Sequence, residues 1–389
     1  MLKRDRSSVV GSKRHGSSVV LKRHRSSVVE LLPHDVVELI LEKLPVKPLL
    51  RLKSVSKRWK STIESHRFKE RQFICRKQSR GIDVLFVSLG DDEARGMRIV
   101  LGSSIVSTVR FPTSCTVFCH GSCDGLLCLY SLNDPSFVVN PATRWHQSFP
   151  LSSYRELIFD RLKIKGALDI TCAKLGFGRD KVRGTYKPVW LYNSSEYGLE
   201  NITTCEVFDF STNAWRFLHQ ASLYRILGDH YPVYLDGSLY WFTECEETKV
   251  LSFDLHTETF QVISKTPFPH VLDPLGFTMC ILDNRLCVSE TNWPTQVIWS
   301  FDSSGGMEPW KKLCSIDLTE TISLYGKAVS RLFPIAILDK TKLLLHSRSY
   351  LQPAVIYDLQ TKSYGVLFTP TTRGSSAFYS QSLFSALSN

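Results

Sequence analysis

LPHDVVELILEKLPVKPLLRLKSVSKRWKSTI, running from Leu32 to Ile63, places two short apolar-periodic runs and their prolines ahead of a lone tryptophan. Pro33 suits the first turn of a helix, where its missing N–H has no partner to lose. Asp35 follows within that turn, where negative charge favours the helix dipole. Val36, Val37, Ile40, Leu41 and Leu44 recur at helical spacing and leave Glu38, Glu42 and Lys43 for solvent. Pro45 ends the helix by driving the residue before it out of the α region. Pro48 restarts one, with Leu49, Leu50 and Leu52 as its apolar set, and Ser56 can cap a third helix on which Trp59 and Ile63 lie one turn apart. So short a stretch buries too little surface to fold well alone. It reads as half of an interface.

One account makes it an ordinary helical subdomain with every leucine in a core. As a set, however, the Leu32-Pro33 opening, the Leu44-Pro45 close, the run through Val55 and the Lys57-Arg58-Trp59 cluster resemble the F-box. The resemblance covers about residues 30 to 73, and the module is drawn at 28–73 with three helices. It implies docking onto the acidic Skp-type linker of a cullin-based (SCF) ubiquitin ligase. Leu32, Pro33, Ile40, Leu44, Pro45, Leu49 and Trp59 would form or support that docking surface.

Charge is segregated along the 389 residues. The net charge is +11, yet residues 1–80 hold 21 Lys+Arg against 7 Asp+Glu, so residues 81–389 hold 27 against 30. The large C-terminal part lacks the basic bias of a nucleic-acid reader, which argues against nucleic acid as a partner. A basic docking module is steered instead toward an acidic partner. Residues 1–27 form a basic repeat leader: Arg6-Ser7-Ser8-Val9-Val10, Gly16-Ser17-Ser18-Val19-Val20 and Arg25-Ser26-Ser27-Val28-Val29, each preceded by a basic pair. Such a segment stays extended and solvated. It is an idle duplication, a nuclear-import signal, or a kinase substrate at Ser7, Ser17 and Ser26, each three residues after an arginine. No run of 18 apolar residues exists, so no membrane span is expected. The N-terminus lacks the apolar stretch of a secretory signal, and 11 scattered cysteines suit a reducing compartment. The expected location is intracellular, in nucleus or cytoplasm.

From about residue 81 the chain changes to short alternating strands, such as Leu126–Tyr130 and Leu239–Phe242, bounded by turn residues. Phe208-Asp209, Phe253-Asp254, Phe301-Asp302 and Tyr357-Asp358 recur at about 45 to 56 residues, the spacing of propeller blades. Three copies share a turn in which Asp is followed by Thr and then an aromatic: Trp215, Phe260 and Tyr364. Asn140, Thr143 and Trp145 repeat it in shortened form. An Asp or Asn bonding backbone groups two residues on closes a hairpin, and the aromatic starts the returning strand and packs between sheets. Asp236-Gly237, Asp283-Asn284 and Asp339-Lys340 mark a second hairpin 18 or 19 residues before each later copy. Two hairpins make a four-stranded blade.

These landmarks, with Gly121–Leu127, Val139–Arg144, Leu175–Gly178 and Leu235–Trp241, resemble the plant F-box-associated domain and its kelch-like relatives. The paired glycines of a full kelch signature are missing, which leaves blade number open, and a β-sandwich is the structural alternative. That family implies a receptor for proteins and no cofactor.

Gly121-Ser122-Cys123-Asp124-Gly125 has the spacing of a nucleophile elbow, but strand-like sequence follows it, so a hairpin accounts for it better. Cys115, Cys119 and Cys123 with His120 lack the paired spacing of a zinc frame. His219, His230 and His270 read as satisfied lone histidines, and no phosphate-cradling GxxxxGK[ST] occurs. The expectation is an α+β multidomain chain: leader 1–27, F-box 28–73, propeller-like all-β domain 81–368 and C-terminal tail 369–389. It would act as a non-catalytic substrate-recognition subunit of an SCF ligase, with the linker and cullin scaffold and a target protein as partners. The alternative is a nuclear, nucleic-acid-associated or scaffold protein that uses the basic leader outside any ligase.

Overall fold

Proline punctuates the helical module. In the computed structural model, Pro33 is the N-cap of α1 (His34–Glu42) and Pro45 the N-cap of α2 (Val46–Leu52). The structure describes residues 32–79, 83–88, 96–101, 104–110, 118–130, 135–165, 173–268, 276–302, 308–329, 331–338, 340–347, 352–369 and 374–387. Pro48 therefore lies inside the first turn of α2 rather than starting it, where a missing N–H breaks no helical bond. Ser56 caps α3 (Lys57–Glu64), accepting from the Trp59 amide at 3.1 Å. A further helix, α4 (His66–Ser79), follows at once, giving this region four helices among the described residues.

Glu42, assigned to solvent by its spacing, is buried because Arg71 of α4 reaches it at 2.9 Å. Desolvation raises its pKa against the pull of that guanidinium. Buried Gln72 donates at 3.0 Å to the Leu44 carbonyl, which is left free where Pro45 breaks the helical ladder.

Among the described residues, six four-stranded antiparallel sheets lie beyond the helices. Blade 1 takes β1 (Asp83–Ser88), β2 (Gly96–Leu101) and β3 (Ser104–Arg110). Blade 2 is β4 (Phe118–Cys123), β5 (Leu126–Tyr130), β6 (Ser136–Asn140) and β7 (Trp145–Phe149). Helix α5 (Ser153–Lys165) leads to blade 3: β8 (Gly176–Arg179), β9 (Tyr186–Asn193), β10 (Thr203–Asp209) and β11 (Ala214–Phe217). Blade 4 is β12 (Val233–Leu235), β13 (Ser238–Phe242), β14 (Lys249–Asp254) and β15 (Phe260–Lys265). Blade 5 is β16 (Phe277–Leu282), β17 (Arg285–Asn292), β18 (Thr295–Phe301) and β19 (Trp310–Asp317). After α6 (Thr321–Tyr325), blade 6 is β20 (Phe333–Leu338), β21 (Lys342–His346), β22 (Ala354–Asp358) and β23 (Tyr364–Phe368).

The last strand, β24 (Gly374–Tyr379), returns to pair with β1 and completes blade 1. Innermost strands touch in the order β24, β4, β8, β12, β16, β20 and back to β24. The sheets thus close into a six-bladed propeller, and closure across the two chain ends leaves no open flank to the ring. The closing strand β24 therefore lies within 369–389, the stretch expected as a tail.

Burial follows position in the blade. Strands β5 and β9, second in their sheets and sandwiched between neighbours, are buried throughout, whereas the outermost β11 and β23 are partly exposed. The cores lie between blades: Tyr130, Trp190 and Phe208 join blades 2 and 3, and Val189, Val207, Trp241 and Phe253 join blades 3 and 4.

The repeated turn is built as its chemistry requires. Asp254 Oδ1 accepts from the His256 and Thr257 amides at 2.8 and 2.7 Å, and Asp358 Oδ1 from Gln360 and Thr361 at 2.8 and 3.1 Å. Asp209 Oδ1 accepts from Ser211 at 2.7 Å. Four residues after each Asp or Asn the chain enters the left-handed region, at Asn213, Glu258, Lys362 and Arg144. Asp124-Gly125, Asp236-Gly237 and Asp283-Asn284 have positive φ at both positions, the two-residue hairpin geometry that matches strand twist. Lys340 shares it, while Asp339 lies outside the described residues.

Candidate partner-docking site

Two apolar stripes run along α1. Val37 and Leu41 enter the module core with Val46, Leu49, Ile63 and Phe68. On the other side Val36, Leu39 and Ile40 are 36%, 50% and 50% exposed, and Leu32 just ahead of the helix is 40% exposed. Positions three and four apart share a helix face, so these side chains form one surface. Lys43, Lys47, Arg51, Lys57 and Arg58 are exposed along the same segment.

The residues singled out from sequence divide accordingly. Leu32, Pro33 and Ile40 are exposed; Leu44, Pro45 and Trp59 are half-buried at the rim; Leu49 is fully buried and underlies the surface. Val36 and Leu39 were missed. Leu39 falls outside the Val37/Leu41 spacing, and an apolar residue in excess of what one buried stripe needs was the available signal. Ser7, Ser17 and Ser26 lie outside the described residues.

The cysteine motif proves structural. Cys123 ends β4, Asp124-Gly125 is the hairpin and β5 follows, so no strand-to-helix elbow is present there. Burial pushes the Cys119 thiol up to about 12 and the Cys123 thiol well above its usual range. Cys115 and the His120 side chain lie outside the described residues, among which no group of His, Cys, Asp and Glu is arranged for a metal.

Residues 29–71 match the F-box domain, and residues 99–364 match the F-box associated beta propeller domain. The chain belongs to the F-box proteins that carry this propeller. The F-box protein At1g11270 of Arabidopsis thaliana is 62% identical over 310 residues, covering 79% of this chain and 99% of that protein. The F-box/LRR-repeat/kelch-repeat protein At1g09650 of the same plant is 51% identical over 94% of this chain and 99% of its own length. The F-box protein At2g34280, also from Arabidopsis thaliana, is 48% identical over 92% of this chain and its full length.

The F-box is seated on the hairpin-turn face of the propeller, and the two cores are joined rather than separate. Leu383 and Ala142 pack into the F-box core. Arg179, at the end of β8, bonds Glu70 at 3.0 Å and the His66 ring at 3.1 Å, both on α4. It also reaches Asp124 of the blade 2 hairpin at 3.4 Å, and its guanidinium lies 5.3 Å from the Phe384 ring centre. Phe384 meets Phe73 of α4 edge to face at 5.7 Å.

Asn140, fully buried, clamps this C-terminal segment by donating to the Ser382 and Phe384 carbonyls at 3.0 and 2.8 Å. Its Oδ1 meanwhile accepts from the Ala142 and Thr143 amides at 2.9 and 3.3 Å. Gly125 is required beneath: its φ is +75, and a Cβ there would meet the Ser380 carbonyl at 2.3 Å.

Proposed function

We propose that this protein is a substrate receptor of a cullin-type SCF ubiquitin ligase, docking an acidic Skp-type linker through the F-box and holding a target protein on the propeller. The observation that carries this reading is the second apolar stripe of α1, exposed among the described residues on a segment that also exposes five cations. A contiguous exposed apolar surface marks an interaction site, and its basic surround suits an acidic partner. The receptor contributes proximity: fixing a target near the charged conjugating enzyme raises the effective concentration of its lysines at the thioester. The ion pairs and aromatic contacts between α4 and blades 2 and 3 suit that task, because a rigid seat limits the volume the target explores.

The test is Ile40→Asp in the intact chain, co-purified with a Skp-type linker. Ile40 is half-exposed and outside the core, so the fold should survive while a carboxylate placed in the interface lowers linker affinity about a hundredfold or more. Leu44→Asp is a poorer probe, since Leu44 packs partly against the F-box core. Linker retained at wild-type level by a folded Ile40→Asp protein overturns the docking assignment.

A further inference from the structure

The F-box covers the face where the Asp124-Gly125, Asn140–Arg144 and Asp180–Gly184 turns lie. Strand β9 leaves that face at Tyr186 and, after eight residues, emerges on the opposite one at Asn193. There three connections of blades 3 and 4 are knit together: residues 194–202, 218–232 and 243–248. Thr203 donates to the Ser222 carbonyl at 2.5 Å, drawing Ile202 toward Leu223. Arg225 bonds Ser195, Glu196 and Glu244 at 2.6, 2.9 and 2.8 Å, tying all three segments.

Four large apolar side chains stand out on this platform: Leu223 is 80% exposed, Ile202 47%, Leu199 39% and Tyr224 38%. Around them the charge is one-sided. The three loops carry six carboxylates against the single Arg225, whose guanidinium is already engaged. Glu200, Glu244, Glu246 and Glu247 are exposed. The cations that meet these loops come from outside them: Lys249 lies over the Tyr224 ring at 4.9 Å, Lys265 pairs with Glu247 at 2.5 Å, Arg161 of α5 with Glu196 at 3.6 Å and Lys174 with Asp229 at 3.7 Å, which leaves Glu200, Glu244 and Glu246 as the exposed acidic rim beside the apolar side chains.

We infer that this platform is the target-docking site, and that its occupant is a peptide segment of the target pairing leucine-type anchors with lysine or arginine. Anchors of that kind cover Leu199, Ile202 and Leu223, and the flanking cations meet the carboxylate rim, which steers the encounter and rejects acidic segments. The chemistry is the inverse of the F-box surface, where the exposed apolar residues share their segment with Lys43, Lys47, Arg51, Lys57 and Arg58. One chain thus keeps its two partners from exchanging places. The inference rests on the receptor reading above, because that reading is what requires a target.

The experiment captures peptides from a randomised library on the intact chain co-purified with its linker. Wild-type protein should enrich segments with Lys or Arg beside Leu, Ile or Phe. Ile202→Asp with Leu223→Asp should lower capture at least tenfold, and Glu200→Lys with Glu247→Lys should shift the preference from basic to acidic flanks, while linker co-purification stays unchanged. Enrichment of acidic segments by the wild type, or unaltered capture by either double variant, overturns the inference. So does peptide capture that appears only after residues 1–31 are removed, which would make the leader the occupant. Concentration-dependent self-association abolished by Leu223→Asp likewise overturns it in favour of a second copy. Loss of linker binding by Ile40→Asp is read separately, so the ligase reading and the platform fail on different measurements.

Discussion

The F-box and the propeller solve the same problem, burying apolar surface, in opposite ways. The propeller buries its own: from blade 2 to blade 6 each interface between neighbouring blades fills with side chains that the repeat itself supplies, and the ring closes. Among the described residues the F-box region has four helices of 7 to 14 residues and completes its core with Leu383, more than 300 residues away in sequence. Small modules bury too little of their surface to stand alone. This one leans on the C-terminal segment on one side and presents an uncovered stripe on the other. Dependence of that kind fixes the F-box relative to the propeller, which an independently folded module on a free tether would not do.

The contrast breaks most visibly when the C-terminus is removed. Ending the chain at Phe368 deletes β24, opens blade 1 and exposes β4 and β20, so no cooperative unfolding transition is expected. Removing only residues 380–389 leaves β24 in place. The propeller should then unfold cooperatively, while amide hydrogen exchange in α1 and α4 rises because Leu383 and Phe384 are gone. A native-like transition in the Phe368 truncation would show that closure is dispensable.

Much of this was legible in the sequence where local chemistry decides the outcome. The Ser56 cap, the Asp254 and Asp358 turns and the Asp236-Gly237 hairpin each need only neighbours in the chain, and each forms as expected. What was missed depends on contacts far apart. The burial of Glu42 requires Arg71, and the role of residues 369–389 requires β1 and Asn140. Asn140 was read as a shortened turn, which it is; its second pair of bonds, to a segment about 240 residues later, leaves no local trace. The docking stripe was half legible, because Ile40 and Leu32 belong to a motif while Leu39 is visible only as one apolar residue too many.

Asn140 offers the next largest effect. Asn140→Ala strands buried amides and carbonyls together and should cost about 2–4 kcal/mol in denaturant unfolding. Asn140→Asp keeps the acceptor for Ala142 and Thr143 but cannot donate to Ser382 and Phe384, so it separates turn from clamp. An Asp variant as stable as wild type would mean that the clamp contributes nothing.

The aromatics that open the outermost strands come next, and they are less buried than packing between sheets implies. Trp215, Phe260, Trp310 and Tyr364 do occupy equivalent places, each directly opposite an aromatic of the third strand: Phe208, Phe253, Phe301 and Tyr357. Only Trp310 is buried, at 6% exposure; the others are half-buried. Three of them latch the preceding blade. Trp215 donates to the Pro150 carbonyl at 2.8 Å, Trp310 to Lys265 at 2.7 Å and Tyr364 to Asp317 at 2.8 Å. Trp310→Ala should therefore cost about 3–5 kcal/mol, Trp215→Ala about 2, and Tyr364→Phe about 1 for the lost hydrogen bond alone. Equal costs for Trp310→Ala and Trp215→Ala would show that burial does not set the scale.

The smallest effect is a dependence on pH. Burial pulls the Asp254 pKa up, but the amides of Thr257 and His256 outweigh it and hold the carboxyl below its usual value. At Asp209 burial is outweighed by the Ser211 hydroxyl together with the Ser211 and Thr212 amides, and at Asp358 the Thr361 and Gln360 amides act almost unopposed. A carboxyl whose folded pKa is depressed contributes stability above its unfolded value, near 4, and loses it as pH falls through the folded value. Glu206 has the opposite sign. Burial raises its pKa despite bonds from the Tyr154 and Ser153 amides, so folding is favoured as that group protonates. The turns outnumber it, and the propeller should weaken on acidification below about pH 4. Asp254→Asn retains the turn acceptor without the charge. It should sit within about 0.5 kcal/mol of wild type at pH 7 and show a shallower loss of stability between neutral and strongly acid pH. Denaturant midpoints measured across that range decide it. An Asn variant that follows the wild-type curve throughout would mean that the turn amides hold the Asp254 oxygen without favouring its charge.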